Sequence, residues 1–123
     1  MEFPKAKPLI PIGRSLDDLR EAPVEVRRAF GGALRVAQLG EYPDGCRPFG
    51  EGLPREILKV VERHDRETYR AAFAVTFEEC VYLLHVFQKK SASGKATPRP
   101  DLRTILARWK AAQEDYRRRY GKD

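Results

Sequence analysis

Tyr69-Arg70-Ala71-Ala72-Phe73-Ala74-Val75-Thr76-Phe77 and, after Glu78-Glu79, Cys80-Val81-Tyr82-Leu83-Leu84-His85-Val86-Phe87-Gln88-Lys89-Lys90 decide the fold of this chain. β-Branched and aromatic residues dominate both runs, and the short acidic break between them reads as the connection of a β-hairpin. Arg70, His85, Lys89 and Lys90 stand inside that apolar pattern. A half-buried strand gains nothing from an unpaired cation, so these residues call for an anionic partner or ligand.

A connection of Glu78-Glu79, or of Phe77 to Cys80, sets Arg70 opposite Phe87 and Ala72 opposite His85. Paired residues of antiparallel strands share a sheet face, as do alternate residues along each strand. One face is then expected to carry Tyr69, Ala71, Phe73, Val75, Tyr82, Leu84 and Val86 as core. The other carries Arg70, Ala72, Ala74, Thr76, Val81, Leu83, His85, Phe87 and Lys89, a shallow basic concavity with its cations around small alanines and one aromatic ring. Ile57 to Arg63 reads as a preceding strand. A five-residue connection from His64 to Thr68 would set Glu62 opposite Arg70 and turn Lys59 to the other face.

Upstream, Ser15-Leu16-Asp17-Asp18 resembles a capping box opening a short helix that ends near Pro23. A second helix follows, with Val26, Phe30, Leu34 and Ala37 on one face and Gly40 as its C-terminal stop. Gly31 and Gly32 inside it predict close approach of another backbone or a bend. Residues 40 to 55 are rich in Gly and Pro and read as a loop with a short strand near Pro48-Phe49. After the hairpin, Ser91 to Pro100 reads as a flexible connection, and Asp101 as the cap of a last helix bearing Leu102, Ile105, Leu106, Trp109, Tyr116 and Tyr120. The expected architecture is α+β: two N-terminal helices, a small antiparallel sheet of three or four strands and a C-terminal helix, with the helices mainly on one sheet face.

The 123 residues suit one domain, with 1–13 as a flexible N-terminal segment. Residues 1–13 hold no apolar stretch of the signal-peptide kind, and no run reaches the ~20 apolar residues of a membrane span, so a cytoplasmic protein without membrane attachment is expected. Cys46 and Cys80 have no metal-ligand spacing and read as reduced thiols, leaving no metal or other cofactor implied. The formal net charge of +6, from 24 Lys+Arg against 18 Asp+Glu, favours a polyanionic partner such as nucleic acid.

RNA can be cleaved without a metal when a base takes the 2′-OH proton, cations stabilise the phosphorane and an acid protonates the leaving oxygen. Arg70 suits charge stabilisation, since its fork holds two phosphate oxygens and stays ionised. His85 or Glu62 would serve as base, Lys89 or Lys90 would hold phosphate or stabilise the leaving group, and Phe87 would stack on a base. The structural alternatives are an Arg70–Glu62 ion pair, a satisfied strand histidine and a solubilising strand end.

The hairpin motifs, with Glu25-Val26-Arg27-Arg28-Ala29-Phe30-Gly31, Leu34-Arg35-Val36-Ala37-Gln38-Leu39-Gly40 and Ala96-Thr97-Pro98, resemble the RelE/HigB-type toxins of bacterial type II toxin–antitoxin systems, closest to their phage-derived branch. The likeness spans residues 14 to 110. It implies a small ribonuclease-like α+β fold, mRNA cleavage on the ribosome and restraint by a cognate antitoxin, expected to be a helix-turn-helix protein. By position it assigns Arg70 to the scissile phosphate and Lys59 and Arg63 to RNA binding from the preceding strand. Lys89 and Lys90 stand where other members place Arg, His or Tyr, a departure from the better-known acid and base residues. Some branches inhibit DNA gyrase instead, and a noncatalytic basic RNA-binding or phage accessory protein is a third reading.

Overall fold

The computed structural model describes residues 5–89 and 96–121. In chain order the elements are β1 (Leu9–Pro11), α1 (Ser15–Glu21), α2 (Val24–Gln38), β2 (Arg47–Pro48), β3 (Ile57–His64), β4 (Glu67–Ala74), β5 (Val81–Lys89) and α3 (Arg99–Tyr120). The sheet has five strands in the order β1-β5-β4-β3-β2, rather than the three or four expected. It is mixed: β1 runs parallel to β5 and every other pair is antiparallel.

β1 lies within the segment expected to be flexible. Three residues that follow Pro8 and end in Pro11 carry no readable alternation, yet an edge position tolerates proline because one side of the strand needs no partner. The Val81 amide donates to the Pro8 carbonyl at 3.0 Å, and the Ile12 amide to Leu83 at 2.9 Å.

Helices cover both sheet faces, not mainly one. α2 lays the expected residues Val26, Phe30, Leu34 and Ala37 against Leu58, Val60, Ala71, Phe73 and Leu83. α3 lays Ile105, Trp109, Ala112 and Tyr116 over Ile57, Ala74, Tyr82 and Leu84 on the opposite face. The uninterrupted apolar run Val81 to Leu84 is the pattern of a strand buried on both sides.

The β4–β5 ladder pairs Arg70 with Phe87 and Ala72 with His85, as expected. Between Ala72 and Phe73 the register shifts, so Phe73 pairs with Leu83 and Ala74 with Tyr82. One extra residue on β5 reverses the faces beyond it. Tyr82 and Leu84 therefore belong to the α3 side, and Val81 and Leu83 to the α2 side, opposite to the sequence-based assignment. Arg108 donates to the Leu84 carbonyl at 2.9 Å, satisfying an acceptor at this irregularity.

The β3–β4 connection is a two-residue turn of Asp65 and Arg66, both left-handed at φ 48° and 68°. Primed turns of this kind match strand twist, but their usual signal is Asn or Gly, and Arg66 supplies none. The tighter turn moves the ladder by one residue. Glu62 pairs with Tyr69, not Arg70, and Lys59 pairs with Ala72, which puts Lys59 on the face of Arg70 and Glu62 on the other.

Helix ends differ from expectation too. The Ser15 hydroxyl makes no cap and instead donates to the Leu83 carbonyl at 3.0 Å, pinning α1 to β5. Gly31 and Gly32 lie on the exposed side of α2, where an added Cβ would meet nothing within 4 Å, so no close approach requires them. Gly40, at φ 91°, does follow the end of α2 as expected.

Candidate functional site

α3 covers only part of its sheet face. It starts beside His85, where Asp101 reaches the imidazole, and runs toward Phe77, whose ring lies 4.3 Å from that of Tyr116. Among the described residues α3 does not extend over the strand ends beyond His85. By alternation and pairing, Lys59 and Arg63 of β3, Arg70 of β4, Phe87 and Lys89 of β5 and Arg47 of β2 share this helix-free end, the open end of the sheet face; Arg70, Phe87 and Lys89 are buried in its floor, and Arg47 and Arg63 are exposed at its margin.

Arg70 is at its centre and only 8% exposed. It donates to the Thr97 hydroxyl at 2.9 Å and lies 3.7 Å from a Glu51 carboxylate oxygen. Glu51 accepts from the Thr97 amide and hydroxyl, each at 2.7 Å. Thr97 thus couples a strand, the β2–β3 loop and the approach to α3. Glu51 holds φ 54° between Gly50 at 77° and Gly52 at 83°. A left-handed non-glycine residue costs on the order of 1–3 kcal/mol, and such strain collects at functional sites. Burial pushes the Glu51 carboxyl up, but the Thr97 hydrogen bonds and the charges of Lys59 and Arg70 outweigh it and hold the pKa below the usual value.

The cations crowd one another. Burial lowers the Lys59 pKa, and Arg70, Arg47 and Lys89 lower it further against the opposing pull of Glu51. The Lys89 ammonium is lowered by burial and then by Arg70. Lys59 also sits 5.1 Å from the centre of the Phe49 ring, a cation–π contact that holds it over the sheet. A cluster of like charges kept at close range is costly alone and gains from an anion that bridges its members.

His85 is adjacent but fully engaged. Its Nε2 lies 2.7 Å from Asp101, and Arg108 approaches Nδ1 at 3.2 Å. Because arginine only donates, Nδ1 is the acceptor and Nε2 carries the proton given to Asp101. Burial lowers the His85 pKa, and Arg108 adds to this against the opposing Asp101 charge. The imidazole stacks on Phe87 with ring centres 4.8 Å apart. Asp101, expected to cap α3, is inside the first turn of a helix capped at Pro98 and serves His85 instead.

Of the residues singled out from sequence, the structure brings together Arg70, Lys59, Phe87 and Lys89, with Arg63 at the exposed margin. His85 borders them, and Glu62 faces away. Lys90 lies outside the described residues. Glu51, Thr97 and Arg108 escaped sequence reasoning. For Glu51 a signal existed: a lone carboxylate between two glycines, within a loop otherwise poor in charge between Pro48 and Pro54.

Residues 17–110 match the model of a family described as "Phage derived protein Gp49-like (DUF891)". No curated protein gives a match. The match covers most of the chain, from α1 through the cationic end to the middle of α3, and the protein belongs to the Gp49-like family of phage-derived proteins.

Proposed function

We propose that this protein is the toxin of a type II toxin–antitoxin pair, and that its open cationic end is an endoribonuclease site acting on mRNA at the ribosome. One observation carries the reading: Arg70 is held by Thr97 and Glu51 in the middle of a sheet face that also presents Lys59, Lys89 and the Phe87 ring. Membership in the Gp49-like family, a toxin-like family related to RelE and HigB toxins, supports it.

The roles follow from chemistry. Arg70 meets the phosphorane charge with a fixed fork, Lys59 and Lys89 hold the remaining phosphate oxygens, and Phe87, buried and stacked on His85, backs the site instead of stacking on a base as expected. Glu51, not Glu62, is the carboxylate within reach. Its bonds to Thr97 use two of about four acceptor positions, so it retains capacity for the 2′-OH proton. His85 is a positioning residue in this scheme, tying the start of α3 to β5 through Asp101. A cognate antitoxin would neutralise the cationic end.

A noncatalytic RNA-binding role is the second reading, favoured by the engagement of both His85 nitrogens. Expression without an antitoxin separates the two. The toxin reading predicts growth arrest with new transcript ends inside translated regions and unaltered DNA supercoiling. Intact transcripts would remove it, and arrest with altered supercoiling would turn it toward gyrase.

A further inference from the structure

A second feature lies around the β2 edge from the cationic end. A cavity of about 520 Å³, within the range of small-ligand sites, opens between the loop after α2 and the start of β3. Leu58, Pro48 and Val75 contribute apolar wall, Arg47 and Arg55 contribute two positive charges against the one negative charge of Glu56, and Tyr42 lines it as well. Tyr42 is 71% exposed, the most exposed of the large hydrophobic residues among those described, and no packing role accounts for its ring.

β2 connects this cavity to the open face. It has only two residues, and consecutive strand side chains point to opposite sides. Arg47 pairs with Lys59 and faces the cations, and Pro48 pairs with Leu58 and faces the other way. Arg47 both lines the cavity and lies close enough to Lys59 to lower its pKa, as Arg70 does from the far side. Positive charge therefore runs from Arg70 over Lys59 to Arg47 and Arg55, crossing two strand spacings of about 4.8 Å each. A cationic track ending at an exposed aromatic ring above an apolar wall is the pattern that holds single-stranded nucleic acid: charges follow the backbone, and the ring takes an unstacked base.

We infer that the Tyr42 cavity is a nucleotide subsite, seating one base of the RNA strand whose backbone crosses Arg47 and Lys59 toward Arg70. The inference rests on the reading of the cationic end as an RNA site and extends it to a second contact that sets where along the strand that site falls.

The test uses the full chain and a ten-nucleotide 2′-O-methyl RNA, which lacks the attacking hydroxyl, with binding followed by fluorescence anisotropy. Tyr42→Ala is expected to weaken binding about tenfold, the size of one lost base stack, and Tyr42→Phe to restore it. Tyr42→Ala binding like the unchanged chain overturns the subsite and leaves the cationic end standing. Tyr42→Phe as weak as Tyr42→Ala overturns base stacking. Competition with AMP and GMP separates the sources: a mononucleotide that binds through Tyr42 without displacing the oligomer overturns assignment to the strand. An unchanged chain that fails to bind the oligomer overturns this inference together with the reading beneath it.

Discussion

The two ends of the α3-facing sheet surface are built from the same three strands and do opposite work. At the covered end, Ile57, Ala74, Tyr82 and Leu84 meet Ile105, Trp109 and Tyr116, and the polar atoms present are paired locally, as Tyr82 is with Asp115 at 2.7 Å. Burial and that hydrogen bond push the Tyr82 hydroxyl far above its usual pKa, so it stays a neutral donor. At the open end, Lys59, Arg70 and Lys89 project from the same strands, and Glu51 and Thr97 reach in toward Arg70. Apolar burial stabilises the first end at about 25 cal/mol per Å². The second holds Lys59, Arg70 and Lys89 where the first holds apolar side chains, and so gains less from burial.

Truncation should separate the ends most widely. Trp109→Ala is expected to cost about 3–5 kcal/mol of folding free energy in urea titrations, because a buried indole leaves a cavity. Lys59→Ala should leave stability the same or slightly higher, as it relieves repulsion from Arg47, Arg70 and Lys89. Equal losses for the two variants would break the contrast.

Glu51→Gln sharpens it. Removing the carboxylate charge from a cationic cluster should tighten binding of uncleavable RNA, whereas loss of the base should slow transcript cleavage by about a hundredfold. A fall in both would return Glu51 to a purely structural role through Thr97.

Away from both ends, Gly31→Ala and Gly32→Ala should each raise stability by up to about 1 kcal/mol, since neither glycine is crowded or left-handed. A loss of stability there would mean that something unseen packs on α2.

The smallest effect concerns His85, at the border. Its folded pKa lies below the ordinary value of 6.5, so the folded chain favours the neutral ring. Its contribution to stability is full above about pH 6.5 and declines as pH falls through the lower folded value, where both states bind the proton. Nitrogen chemical shifts should show a neutral ring protonated at Nε2 at pH 7. A ring protonated at Nδ1 would contradict the Asp101 and Arg108 contacts.

Much of this was legible in the sequence, and what was not has physical causes. Apolar spacing gave α2 and its buried face, and pairing across the β4–β5 connection gave the neighbourhood of Arg70, Phe87 and His85. Side-chain period in a strand is two, so one unseen residue reverses every assignment beyond it. The bulge near Ala72 did this to Tyr82 and Leu84, and the Asp65-Arg66 turn did it to Glu62 and Lys59. One error came from a turn and the other from a bulge within β5, and each depends on one or two backbone angles that Arg66 and Leu84 do not advertise. Glu51 and Thr97 are distant from Arg70 in the chain and meet it only through the fold, so periodicity had no means of finding them.

The central claim is that the open end is a ribonuclease site organised by Arg70. Its most direct measurement is cleavage of ribosome-bound mRNA in a purified translation reaction by the unchanged protein and by Arg70→Ala, with folding of the variant checked by circular dichroism. Loss of the group that meets the phosphorane charge is expected to reduce cleavage at least about a hundredfold with the fold retained. Undiminished cleavage by a folded Arg70→Ala would contradict the account.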